Sequence, residues 1–232
     1  GPVRLLVADV TSEGALRGYV GFDEDQLEGL ANEPLSAARM FGGGHLAFTV
    51  DPGGDFERYQ GIVELAGESL ADSVHHYFRQ SEQIASGLKL ACAADEHGQW
   101  RAGALLVQKL PDEIVRKAAP EEVAEIIEAD EGFRRALVLL GSASTAEMTD
   151  ASLSAEELLF RLFHEDGVRV YDKMALFDQC RCGLDRIEDV LRQFGRDQVD
   201  GFKVEGVVTV TCEFCTDTRA FDEDALSAMG LE

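Results

Sequence analysis

A chain of 232 residues with 45% hydrophobic and 28% charged residues has the makeup of an ordinary globular protein, with room for one good core and one or two smaller modules. Its 44 acidic residues against 21 basic ones leave a net charge of −23, a surface that repels phosphate backbones and argues against nucleic acid as a partner. No apolar run approaches membrane-spanning length, which argues against a membrane partner too.

From Arg4 to about Leu110 the apolar pattern is mostly that of strands. Arg4 to Val10 is a nearly continuous apolar run, and Arg17 to Phe22, Leu46 to Val50 and Tyr59 to Leu65 are further short strands. Gly87 to Asp95 and Trp100 to Leu110 flank Glu96-His97-Gly98-Gln99, which reads as a hairpin loop. One helix interrupts the strands, Ser69 to Gln80, with Leu70, Val74, Tyr77 and Phe78 on one face. The opening Gly1-Pro2-Val3-Arg4 is no signal peptide and contains no initiator Met. The expectation is a removed N-terminal segment, with the partner of strand Val3 to Val10 supplied by that segment or by a second chain.

Pro111 marks a change of character. Pro120 suits a helix start with Glu121 and Glu122 in its first turn, and Val123, Ile126 and Ile127 form its stripe. Phe133, Leu137 and Leu140 stripe a second helix, ended by Gly141. Ser154-Ala155-Glu156-Glu157 is a capping box that opens a third through Leu158, Leu159, Leu162 and Phe163. Such short, acidic helices must lean on a neighbour, the sheet region, and make a linker that is only conditionally stable.

Four of the 5 cysteines fall in the last stretch, as Cys180-Arg181-Cys182 and Cys212-Glu213-Phe214-Cys215. Two close thiol pairs offer a closed tetrahedral set of soft ligands, the arrangement a structural zinc ion takes. A module this small is expected to need the metal to fold. Paired cysteines in an otherwise cysteine-poor chain fit zinc in a reducing compartment, the cytoplasm, better than disulfides in a secreted scaffold. Around them, Gly183 to Gln193 reads as a helix with Leu184, Ile187, Val190, Leu191 and Phe194 inward. Val207 to Thr211 is a strand with Ala220-Phe221 returning beside it, and Asp222 caps a last helix with Leu226 and Met229 inward. The fold class is therefore α+β: a sheet-dominated domain with a packed helix over 1–110, a helical linker over 111–172, and a small zinc-binding domain over 173–232.

The remaining candidates are weaker. Cys92 alternates with Leu88 and Leu90, which places it as a buried core thiol. His75 and His76 lack a partner ligand at metal spacing, and His164 sits where a helix C-terminus favours it. Gly42-Gly43-Gly44-His45 precedes a strand, so it is a turn and not a phosphate loop. Nothing marks an enzyme. Two rival functions use the cysteines differently: a thiol-disulfide oxidoreductase working through Cys212 and Cys215, and a zinc-ribbon interaction module. Thr216-Asp217-Thr218-Arg219 is a turn where the first needs a helix start, and the acidic surface counts against the second.

Several stretches resemble one family. The C-x-C, the phrase Thr211-Cys212-Glu213-Phe214-Cys215, Glu57-Arg58-Tyr59-Gln60-Gly61-Ile62-Val63, Tyr77-Phe78-Arg79-Gln80-Ser81-Glu82-Gln83 and Leu162-Phe163-His164-Glu165 are similar, in order, to the redox-regulated thirty-three-kilodalton heat-shock chaperones. The chain departs from that pattern at Gly183, at Lys203-Val204-Glu205-Gly206, and in starting later. The resemblance implies an ATP-independent holdase for unfolding client proteins in stress. It implies one zinc per chain on Cys180, Cys182, Cys212 and Cys215 in the reduced, inactive state. It further implies, on oxidation, disulfides Cys180 with Cys182 and Cys212 with Cys215, zinc release, partial unfolding and activity. Sequence alone leaves three pairings open. A homodimer, with or without an exchanged strand, is also compatible.

Overall fold

The computed structural model describes residues 1–30, 36–54, 56–109 and 130–231. The expected helix beginning at Pro120, with Val123, Ile126 and Ile127, and the break at Pro111 lie outside these residues. Among the described residues the elements run β1 (Val3–Val10), β2 (Ala15–Phe22), α1 (Glu24–Glu28), α2 (Ala37–Phe41), β3 (His45–Val50), β4 (Tyr59–Glu64), α3 (Leu70–Gln80), β5 (Ser86–Ala94) and β6 (Trp100–Gln108). They continue with α4 (Glu131–Ser142), α5 (Thr145–Thr149), α6 (Ala155–Phe163), β7 (Phe177–Asp178), α7 (Leu184–Phe194), α8 (Arg196–Gly201), β8 (Val208–Thr211), β9 (Thr218–Phe221) and α9 (Glu223–Ala228). Contacts divide them into two units. One comprises Gly1–Pro2 with Glu24–Tyr171, and the other Val3–Asp23 with Asp172–Glu232.

In the first unit the alternating runs close as two antiparallel hairpins, β3 with β4 and β5 with β6. Helix α3 opens on a capping box of Ser69 and Asp72 and buries Ser73 and Tyr77. The Tyr77 ring lies 4.3 Å from that of Phe48, and its hydroxyl donates to Glu82 Oε1 at 2.7 Å. Tyr59 donates to the same oxygen at 2.8 Å. These two hydroxyls hold the Glu82 carboxyl below the usual carboxylate range. A Cβ at position 61 would stand 2.6 Å from both Tyr77 Oη and Ser81 Oγ, so only glycine lets α3 come this close. The stretches 57–63 and 77–83, far apart in sequence, are thus two sides of one packing site.

The β5–β6 hairpin shows why small residues matter. At Gly87 a Cβ would lie 2.2 Å from Leu137 Cδ2, and at Gly103 one would lie 2.5 Å from the Met148 carbonyl. Helices α4 and α5 therefore rest on the face carrying Gly87, Lys89, Ala91 and Gly103, and Lys89 Nζ donates to the Gly141 carbonyl at 2.6 Å. This corrects the sequence reading of Cys92. Alternation was read from the larger residues, but the helices cover the smaller face, so Cys92 and Leu90 are exposed. Gly141 lies inside α4, which runs on to Ser142. The caps are Asp130 for α4, Ser144 with Glu147 for α5, and Ser154 with Glu157 for α6, the last as expected. The remaining histidines take no special place: His75 is exposed, and His164 caps α6 with Nδ1 3.2 Å from the Phe160 carbonyl.

In the second unit β1 pairs with β2 of the same chain, from Val3 opposite Phe22 to Val10 opposite Leu16. The strand was expected, and the partner the structure gives it lies within the chain, in place of the removed segment or second chain that the sequence suggested: the turn at Ser12-Glu13, where Gly14 N–H donates to the Thr11 carbonyl at 3.0 Å, closes a local hairpin. Residues Leu191, Val199, Val208, Phe221, Leu226, Met229 and Leu231 form a core cluster, gathered from α7, α8, β8, β9, α9 and the turn after it. Leu226 and Met229 point inward as read, and Phe221 returns beside β8. The stripe of α7 is narrower than its sequence suggested. Leu191 is buried and Ile187 half-buried, while Leu184, Val190 and Phe194 stay exposed, because the module has only one side to cover. Helix α8, with Val199 wholly buried, was not foreseen.

Candidate metal centre

Two loops of the second unit carry the four cysteines. The first leaves β7, whose two residues run parallel to Ala15 and Leu16 of β2, and enters α7 just after Cys182. The second is the tight connection between β8 and β9. There Thr216 N–H donates to the Cys212 carbonyl at 2.8 Å, and Cys212 N–H donates to the Asp217 carbonyl at 2.9 Å. Thr216 takes a positive φ of 58°, which turns the chain back so that both sulfurs of the C-x-x-C face the same way. Strand β9 follows at once, so this motif does not open a helix and lacks the dipole a thiol oxidoreductase uses.

The sulfurs of Cys180, Cys182, Cys212 and Cys215 all lie within 4.8 Å of one another. Cys180 Sγ is 3.6 Å from Cys212 Sγ, and Cys182 Sγ is 3.3 Å from Cys215 Sγ. Zinc–sulfur bonds of about 2.3 Å place tetrahedral sulfurs roughly 3.8 Å apart, so the residues fit such an ion. The spacing is well beyond a covalent sulfur–sulfur bond of about 2.05 Å. Since all four sulfurs are mutual neighbours, proximity does not choose among the three disulfide pairings.

Electrostatics concentrate on Cys180. Burial pushes its thiol up, but hydrogen bonds from the Cys182, Cys215 and Cys212 thiols outweigh this and bring it down to about 6. The same sharing pushes Cys182 up, to about 12, through its bonds to Cys215 and then Cys180. Cys180 also has a guanidinium beside it: Arg17 Nη1 stands 3.9 Å from its sulfur. The Arg17 plane lies over the Phe214 ring, 4.0 Å from its centroid. Sequence reading missed Arg17, which sits 163 positions before Cys180 and looked like one polar residue of a strand. Among the described residues no helix is long and apolar enough to cross a membrane.

The comparisons with known proteins agree with this geometry. Residues 1–222 match the family described as Hsp33 protein. The 33 kDa chaperonin of Caulobacter vibrioides is 35% identical over 222 residues, which cover 93% of this chain and 70% of that protein. The 33 kDa chaperonin of Nitrosococcus oceani is 35% identical over 223 residues, covering 96% and 68%. Among solved structures, the crystal structure of the 33 kDa chaperonin of Thermotoga maritima, at 24% identity, is similar in fold with a TM-score of 0.69, covering 99% of this chain and 73% of that one. The four-cysteine cluster and the family match over nearly the whole length lead to one conclusion: the chain belongs to the Hsp33 family of redox-regulated chaperones.

Proposed function

We propose that Cys180, Cys182, Cys212 and Cys215 hold one zinc ion per chain in the reduced state, and that their oxidation switches on an ATP-independent holdase for unfolding proteins. The observation that carries this is the cluster of four sulfurs within 4.8 Å in a chain of this family. Zinc, when bound, keeps the sulfurs ionised, the form that oxidants attack. Each pair of thiolates gives two electrons to one peroxide. A sulfur–sulfur bond forms, the oxygen–oxygen bond breaks, and with two protons two waters leave. In our reading Cys180 pairs with Cys182 and Cys212 with Cys215, which leaves no ligand for the metal.

The functional division we propose follows chain order: residues 1–110 bind clients, 111–172 are a metastable linker, and 173–232 are the switch. The α4–α6 helices are short, heavily dependent on caps and sparsely buried, as a conditionally stable linker should be. Loss of the switch's fold would let these helices follow and uncover apolar faces for clients. We place this activity in the cytoplasm, where thiols stay reduced until stress. A homodimer, strand-exchanged or not, is compatible with the holdase but not required by it.

The test measures three things on the full chain: zinc content, free thiols, and aggregation of a heat-unfolded client. Reduced protein should hold one zinc and suppress aggregation poorly. Peroxide with mild warming should release zinc, consume four thiols and turn suppression on without nucleotide. Turnover of a disulfide substrate with no gain in suppression would overturn this reading.

A further inference from the structure

The first hairpin and the cysteine loops belong to the same unit, and the contacts between them are specific. Asp9 and Arg17 face each other across β1 and β2. Arg17 donates to Asp9 Oδ2 through Nε at 3.0 Å and Nη2 at 2.8 Å. That leaves Nη1 for Cys180 Sγ and the guanidinium plane for Phe214, which lies between the two ligands Cys212 and Cys215. Arg181, between Cys180 and Cys182, donates to the same Asp9 Oδ2 at 2.6 Å. The backbone joins in: Phe177 N–H donates to the Gly14 carbonyl at 3.0 Å, and Gln179 N–H to the Leu16 carbonyl at 3.2 Å. The Arg17 side chain is only 14% exposed, so this is a packed position and not a surface ion pair.

Four thiolates around a zinc dication leave a net dianion. Cations and N–H donors beside ligand sulfurs offset that charge and fix the sulfurs' orientation. Arginine suits the place because it can grip a carboxylate, a sulfur and an aromatic face together, which lysine cannot. Once the thiolates are gone, two guanidiniums share one carboxylate oxygen and nothing else of negative charge. Like charges then face each other across Asp9, and the hairpin's hold is weakened to that shared carboxylate and the two backbone bonds.

We propose that Arg17 is a positioning residue of the four-cysteine centre, and that the β1–β2 hairpin is a strap held in place by thiolate charge and freed by oxidation. The idea rests on the zinc reading given above. The redox step is the same: two thiolates reduce one peroxide to two waters, with two protons taken up, and become one disulfide. What is added is its mechanical result at residues 3–22.

The experiment uses the full chain, reduced and zinc-loaded, as wild type, Arg17→Gln and Arg17→Lys. Two readouts are taken, zinc transfer to the chelator 4-(2-pyridylazo)resorcinol and amide hydrogen exchange of residues 3–22. In the wild type, peroxide should speed hairpin exchange by about tenfold or more, as expected when a packed element becomes locally open. Arg17→Gln should still take up one zinc but lose it to the chelator roughly tenfold faster, in line with the loss of an outer-shell partner. Its hairpin should already exchange fast when reduced, and Arg17→Lys should fall between the two. Wild-type zinc transfer in Arg17→Gln, or equal hairpin exchange in reduced and oxidised wild type, would overturn the inference. Should Arg17→Gln not fold, the wild-type exchange comparison decides alone. A wild type that binds no zinc would instead refute the zinc reading. A wild type that binds and releases zinc while Arg17→Gln behaves identically would sink only the strap.

Discussion

Helices α4–α6 and the module from Cys180 to Leu231 are both built of short elements, yet they are closed by different means. The module gathers seven buried side chains into one cluster and adds four sulfurs that a metal can tie. The helices bury only Leu140 and Leu158, with Ala143 just after α4, and rely on three side-chain caps and on a floor of glycine and alanine. On the proposed function, the module would be secured by metal–thiolate bonds that an oxidant can cut. The other is secured by many small terms that heat can loosen. On that reading, oxidation would act on the module and warming on the helices.

The largest effect that would sharpen this contrast is at the ligands. Cys212→Ser should abolish stoichiometric zinc binding and melt the module, with the metal measured by a colorimetric chelator. Cys92→Ser, on the exposed strand face, should leave the zinc content at wild type. Equal zinc loss in both would remove the distinction between the regions. Next come the two cores. Leu226→Ala should cost the module about 2–5 kcal/mol, even when loaded with metal, because Leu226 is fully buried. Leu140→Ala should cost a similar amount but loosen α4 and leave zinc untouched. Thermal melting with zinc readout separates the two.

A smaller change tests the floor. Gly103→Ala pushes a Cβ to 2.5 Å from the Met148 carbonyl, a backbone atom that can yield only if α5 shifts. We expect a loss of about 1–3 kcal/mol in the first unit. Faster exchange at residues 145–149 and some client protection without oxidant should accompany it. The smallest effect is at the caps. Ser144→Ala and Ser154→Ala should each cost about 1 kcal/mol. The backbone and side-chain bonds of Ser144 and Ser154 hold the Glu147 and Glu157 carboxyls below their ordinary value of 4.5. Since both folded values are depressed, this support is complete above pH 4.5 and is lost as pH falls through the folded values. Exchange at α5 and α6 measured against pH should show the loss, and the serine variants should flatten it.

The sequence made some of this legible because local rules decide it. The strands of the hairpins, the Ser69 and Ser154 helix starts and the four cysteines all follow from spacing and cap chemistry. What stayed hidden depends on partners distant in the chain. Cys92 was assigned to the wrong face because the bulkier side of β5 looked like the inside, whereas Gly87 and Gly103 let the helices sit on the other. Val199 gave no signal, since one apolar residue in Arg196–Gly201 shows no period. Arg17 was invisible as part of the centre, because nothing in a strand residue announces a cysteine brought in from the far end of the chain.

The second unit joins Val3–Asp23 to Asp172–Glu232 across the whole of the first. At ribosomal speeds of about 5–20 residues per second, the hairpin waits roughly ten to thirty seconds for Cys180 to be made. The described residues between them can fold meanwhile, since hairpins β3–β4 and β5–β6 pair locally. Closing the long connection is then the last and slowest step, and the four thiols come together at the end of folding rather than at its start. A nascent chain therefore passes through a stage with the first unit formed and the cysteine loops still open.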